Sequence, residues 1–238
     1  MQLINQLPII SKMTLLELAI FCSEAICDDE HIEDGHDLLA QLNEQVSDIA
    51  HRYDDPLLRW HAFAELFYHS WSFTIDENDY FSVPSNSLFH FLKDRIGNNA
   101  LSTVLVYHLL RQLDLSPRII NFPGPFVIRI DALDGQLIDP LNGDTMTMEY
   151  LELLVRGHLG DHVRLKDEHL ALADEKTVKR RFLTSIKQAC LLEEEYDLAL
   201  MFTQVLLELL PDDPNQIMER GFILQQLDYY SGAAQDFA

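Results

Sequence analysis

Apolar positions along most of this chain recur three and four residues apart; over one central stretch they fall instead into short runs of strand type. Thr14-Leu15-Leu16-Glu17 sets a hydroxyl three residues ahead of a carboxylate. That is the spacing of a capping box, and it predicts a helix reaching about Cys27. The acidic residues 28–34 read as a loop. Leu38, Leu39, Leu42, Val46 and Ile49 predict the next helix. Asp55-Pro56 predicts a third, with Asp as N-cap and Pro in the first turn. Trp60, Phe63, Phe67 and Trp71 follow at helical spacing and read as core packing.

The middle changes character. Ser85 is expected to cap a short helix that stops at Gly97. The helix expected over 99–113 carries Ala100, Leu101, Val104, Leu105, Leu109 and Leu110, apolar on most faces, and is therefore a buried one. Beyond Pro117 come three strand-type runs, 118–122, 126–130 and 136–138, with Asp134-Gly135 as a hairpin-turn signal between the last two. A buried helix followed by antiparallel strands is an α+β core within a mainly helical chain.

The last third is helical again, beginning with a short helix over 148–155. The stretch 166–181 holds five of the 17 basic residues, Lys166, Lys176, Lys179, Arg180 and Arg181, and reads as a solvated helical face. From about Phe182 a period of 34 residues emerges: Tyr196 with Tyr230, Ala199 with Ala233, Lys187 with Gly221. Pro211 follows Ala199 by twelve. Helix pairs at that period are the tetratricopeptide signature, in which a small residue admits close helix approach and an aromatic fills the gap.

Composition narrows the function. The 238 residues are 47% hydrophobic and 24% charged, a globular balance. With 39 acidic against 17 basic residues the formal charge is −22. Such a chain repels phosphate backbones and anionic lipid surfaces, so neither nucleic acid nor membrane is an expected partner. Cys22, Cys27 and Cys190 cannot make a full disulfide set. Residues 1–10 lack the features of a secretion signal, and no apolar run approaches the ~18 residues of a membrane span. A reducing cytoplasm is the expected compartment.

Asn86-Ser87-Leu88, Gly97, Ser102, Leu105, Arg111 and Leu115, then Asn121-Phe122-Pro123-Gly124, Phe126 and Leu137-Ile138-Asp139-Pro140, form a constellation with more specific content. The tail adds Arg181, Leu183, Ile186-Lys187 and Arg220-Gly221. Over nearly the whole chain this resembles the transglutaminase-like superfamily. More narrowly it resembles the bacterial SirB-type proteins, which join such a domain to C-terminal tetratricopeptide repeats. The resemblance implies a papain-like core: a nucleophilic Cys at the start of the buried helix, a His on the next strand, and an Asp on the strand after it. Cysteine chemistry suits that layout, because a helix N-terminus stabilises thiolate and an oriented imidazole takes the proton.

The departures from the pattern decide the reading. Counting back from Arg111 puts Asn99 at the nucleophile's place; Pro125 stands where the family has His; Asp139 fits the third place. An amide is no nucleophile, and proline has no proton to transfer. Ser102, Thr103 and His108 lie on the same helix, but Thr103 and His108 are about 140° apart around it and cannot pair easily. Asp139 also reads as a turn residue before Pro140.

Other candidates are weaker. His158 and His162 are spaced i, i+4, but Gly157 and Gly160 interrupt the helix and no HExxH motif is present. The acidic residues 28–37 lack the order of an EF-hand. Cys22 and Cys27 are not a CxxC pair and read as small buried residues.

The expectation is therefore an N-terminal helical part (1–80), a degenerate transglutaminase-like core (81–165) and tetratricopeptide-like helical pairs (166–238). No cofactor and no metal are expected. The expected function is non-catalytic protein interaction, regulatory or scaffolding, with a partner bearing a basic patch. The alternatives are a hydrolase or acyltransferase working from the remnant cleft without cysteine, and a small-ligand binding module.

Overall fold

The computed structural model describes residues 10–75 and 82–238, so of the N-terminal stretch read for targeting all but Ile10 lies outside the described residues. The molecule is α+β and mainly helical. Helix α1 (Leu15–Ile26) opens on the expected capping box, with Thr14 and Glu17 exchanging side-chain and backbone hydrogen bonds. Helix α2 (Asp29–Arg52) corrects one expectation. The acidic residues after Asp28 form its first turns and not a loop, because the Asp28 side chain accepts from the His31 N–H and caps the helix. The acidic residues Asp29 and Glu30 then sit favourably at the positive end of the helix dipole.

Helix α3 (Pro56–Ala64) is capped by Asp55 as expected and continues into a π-helical stretch, Glu65–Ser70. Trp60, Phe63 and Phe67 are buried, and Phe67 stacks on Phe73 at 4.4 Å. The two-residue strands β1 (Thr74–Ile75) and β2 (Ile96–Gly97) pair in parallel, a feature without a periodic signature. Between them lies α4 (Leu88–Asp94). Its cap is Ser87, whereas Ser85 falls in the 3-10 turn before it, and Arg95 ends the helix in the left-handed region before Gly97 is reached.

Helix α5 (Asn99–Gln112) is buried on nearly every side, from Asn99 through Val106 and again at Leu109 and Leu110. It packs on an antiparallel sheet ordered β3 (Pro117–Ile120), β4 (Val127–Ile130), β5 (Gln136–Ile138). The strands alternate between two apolar layers. Ile119, Ile128, Ile130 and Ile138 face the main core; Ile120, Val127 and Leu137 face a second cluster closed by Leu151 and Val155 of α6 (Met148–Leu159). Asp134 and Gly135 both take positive φ, 53° and 77°, within a five-residue loop that begins with a 3-10 turn.

Helices α7 (Glu175–Leu192), α8 (Tyr196–Leu209), α9 (Pro214–Gln226) and α10 (Tyr230–Asp236) complete the chain. The 34-residue period survives in backbone detail. Glu194 and Asp228 share a left-handed φ, 61° and 62°. The Glu195 N–H donates to the Cys190 carbonyl as the Tyr229 N–H donates to that of Leu224. Ala199 and Ala233 are both buried.

Lys166, Lys176 and Arg180 are exposed, as expected of the 166–181 stretch, but Lys179 departs from that reading. Lys179 is 1% exposed, and its ammonium donates to the Ile10 and Ser11 carbonyls and pairs with Glu175 at 2.9 Å. Its long apolar stem lets the charge reach those partners from inside the packing. The main core runs through this helix without a break, from Ile10 to Ile223.

Candidate functional site

The N-terminus of α5 is prepared by a buried polar network. Asn98 caps the helix by accepting from the Leu101 N–H at 3.0 Å, and its amide donates to Asn86 Oδ1 at 2.9 Å. Ser185 of α7 donates to the same oxygen. The next residue, Asn99, is 4% exposed. Its Oδ1 accepts from the Phe126 N–H at 2.7 Å, and its Nδ2 lies 3.5 Å from the Phe126 carbonyl.

One turn along, Ser102 donates to the Pro140 carbonyl at 2.5 Å, and Tyr68 donates to that same carbonyl at 3.1 Å. Because β4 and β5 are antiparallel, the start of one and the end of the other lie at the same end of the sheet. The first turn of α5 is thus bonded on one side to the residue after Pro125 and on the other to the residue after Asp139. The fold brings the neighbourhoods of Asn99, Pro125 and Asp139 together. Their side chains supply an amide, a pyrrolidine ring and a carboxyl group.

Asp139 accepts from the Leu141 N–H at 2.9 Å, the turn role expected before Pro140. Burial pushes its carboxyl above the ordinary range, and the nearby Asp144 adds to that push; the Leu141 bond opposes both. Tyr68 is held well above its usual value by burial, with Asp139 and Asp144 adding to the effect. Its ring fills the space above Gly143, where an added Cβ would come within 2.5 Å of it at a φ of +76°.

The loop before β4 is clamped from outside by a residue whose role was not foreseen. The Arg181 guanidinium lies 4.0 Å from the Phe126 ring centroid and donates to the carbonyls of Phe122 and Gly124. Gly124 takes φ +107°, and His158 packs directly against it. His158 therefore belongs to this loop's packing, while His162 lies beyond the end of α6 and packs near Gly160. Thr103 and His108 stay apart as expected: Thr103 donates to the Asn99 carbonyl, and His108 contacts Asn43 and Gln112.

A thiol does meet an imidazole elsewhere. Cys22 is buried as expected, but Cys27 is only half-buried, with its Sγ 3.1 Å from Ser87 Oγ and 3.3 Å from His90 Nδ1. This corrects its reading as a buried apolar residue: it sits at the C-cap of α1, beside the polar start of α4. Burial pushes the Cys27 thiol up and the His90 imidazole down, so at neutral pH both are uncharged. Among the described residues no group of three His, Cys, Asp or Glu side chains is arranged to hold a metal ion. No helix among them is long and apolar enough to cross a membrane.

Residues 34–184, from α2 through most of α7, match the family model described as the transglutaminase-like superfamily. The chain belongs to that superfamily. Within it, the SirB-type assignment is supported by named relatives. A UPF0162 protein of Vibrio cholerae is 33% identical over 227 residues, covering 94% of this chain and 84% of the relative. The UPF0162 protein YchA of Escherichia coli K12 is 30% identical over 234 residues, 96% of this chain and 86% of the relative. Protein SirB1 of Salmonella typhimurium is 32% identical over 175 residues, 73% of this chain and 65% of the relative. No solved structure matches the chain. As a SirB-type member, the chain keeps the superfamily's helix-then-sheet order around Asn99 and Asp139.

Proposed function

We propose that this SirB-type protein is a non-catalytic, regulatory or scaffolding member of the transglutaminase-like superfamily that works by binding another protein. In this reading Asn99, Pro125 and Asp139 occupy the triad places of nucleophile, base and orienting carboxylate, and the first two have lost their chemistry. The observation that carries it is the Asn99 clasp. The side chain at the start of the buried helix is tied to the Phe126 backbone by a 2.7 Å bond, and its nitrogen lone pair is delocalised into the amide, so it is no nucleophile. The carboxyl of Asp139 faces burial and another acid, with no cation among the groups that set its charge.

Two further features support binding as the activity. Helices α7 to α10 repeat at 34 residues in the manner of tetratricopeptide pairs, a module type whose stacked helices present an extended binding surface. The surplus of 39 acidic over 17 basic residues favours a partner with a basic patch, met in the cytoplasm and released by salt. Affinity capture from a lysate of the source organism, with partners identified by mass spectrometry at low and at high salt, tests this. The expected result is a discrete partner retained only at low salt. Strong hydrolysis of peptide or ester substrates by the native chain would overturn the reading.

A further inference from the structure

Away from Asn99, Pro125 and Asp139 lies a cleft of about 640 Å³ around the C-terminal half of α5, bounded by the first turn of α1, strand β3 and the start of α7. That volume is in the range of small-molecule sites. Its floor is apolar: Leu15, Val104, Ile119 and Val178 are each under 9% exposed, and the half-exposed Leu172 extends the apolar surface to the mouth.

Four charged residues line the cleft, and their partners decide its polarity. Glu17 is spent in the capping box, accepting from the Thr14 N–H at 2.7 Å. Glu175 is paired with Lys179 at 2.9 Å. Arg118 shares Asp131 with Arg129. Arg111 alone of the four makes no hydrogen bond or ion pair among the described residues; its guanidinium lies 5.9 Å from the Tyr107 ring centroid. Glu17 and Glu175 each hold an internal partner, which leaves Arg111 as the charged group of the four whose hydrogen-bonding capacity is unfilled, at the rim of an apolar trough.

We propose that this cleft binds a small amphipathic carboxylate. The apolar body lies along Leu15, Val104, Ile119 and Leu172, and the carboxylate meets Arg111, with Arg118 also on the cleft wall. The guanidinium fork matches a carboxylate in a two-bond geometry that an alcohol or amine cannot reproduce. Nothing in this proposal depends on the triad positions.

The test is calorimetric titration of the full chain with decanoate, with decan-1-ol as the uncharged control. Decanoate is expected to bind saturably and about tenfold or more tighter than the alcohol, the factor that a charged hydrogen bond supplies. Arg111→Gln is expected to erase that difference. Leu172→Glu, which sets a negative charge at the mouth, is expected to weaken decanoate by at least as much. Both side chains are exposed, so unchanged thermal melts should accompany both variants. Absence of saturable decanoate binding, equal binding of acid and alcohol, or undiminished decanoate binding by either variant would each overturn the proposal.

Discussion

The carboxamide of Asn99 and the backbone of Phe126 hold one another across 27 residues of chain: Oδ1 accepts from the Phe126 N–H at 2.7 Å, and Nδ2 reaches towards the same residue's carbonyl. The helix start and the strand start are fixed by one buried side chain, the one that the proposed function sets at the nucleophile's place. Asn99→Ala removes the acceptor and leaves a buried N–H without a partner. The expected cost is about 1–3 kcal/mol, read as a lower urea midpoint with an unchanged slope.

The same clasp bears on restoration. Asn99→Cys with Pro125→His supplies a thiol and an imidazole at the two positions that the proposed function reads as emptied. A thiol cannot accept and donate as the carboxamide does, so the double variant loosens the geometry it needs. Ester hydrolysis indistinguishable from that of the native chain is the expected result, because reactive groups act only when their surroundings hold them in place. Turnover well above background would show that the supporting residues survive intact.

Arg181→Lys tests the outer clamp. Lysine keeps the charge but loses the planar stack on Phe126 and the forked reach to the Phe122 and Gly124 carbonyls. Stability should fall by about 1–2 kcal/mol. Amide exchange should rise in the loop before β4 more than in α8, which a general loss of stability would not reproduce.

Much of this arrangement was legible in the residues, and the exceptions share a cause. Most capping residues, the buried helix, the strand-type runs and the 34-residue period are local or periodic signals, and they lie close to where spacing places them. Ser87 took the cap from Ser85, and the acidic run after Asp28 joined a helix, because one side-chain hydrogen bond decides between neighbouring starts. The contacts of Lys179, Arg181 and Tyr68 span 57 to 169 residues or join elements far apart in the chain. A charged residue on a charged stretch carries no mark of that. The Arg111 cleft was missed for the same reason: three separate elements bound it.

Lys179 and Arg180 give a direct contrast on that stretch. Lys179→Met leaves the Ile10 and Ser11 carbonyls without their charged donor and should cost about 2–3 kcal/mol. Arg180 is exposed, and Arg180→Met should stay within about 0.5 kcal/mol of the native chain. Chemical unfolding of the two variants side by side separates a buried anchor from a solvated charge; equal effects would mean that Lys179 is not anchored.

Asp139 yields a pH dependence of unusual sign. Most carboxyls here whose charge is perturbed are held down. Asp174 is one, its carboxylate accepting from the Thr177 side chain and backbone N–H, so its contribution to stability grows as pH rises from the folded value towards 3.8. Asp139 is pushed above its ordinary 3.8, first by burial and then by Asp144. As pH rises from there, the unfolded chain releases this proton while the folded chain still holds it. The folded state then binds more protons, so stability from this residue falls with rising pH, and above the raised value the loss stays constant. Asp139→Asn keeps an oxygen to accept from the Leu141 N–H and removes the buried charge. The variant should melt about 2 °C higher than the native chain at pH 7 and at the same temperature at pH 3, where both side chains are neutral. A carboxylate held in place to orient an imidazolium would behave in the opposite way, because a cationic neighbour lowers the carboxyl and makes its ionised form stabilising. A lower melting temperature for Asp139→Asn at pH 7 would therefore reveal a cation beside Asp139, and with it a surviving part of the catalytic layout.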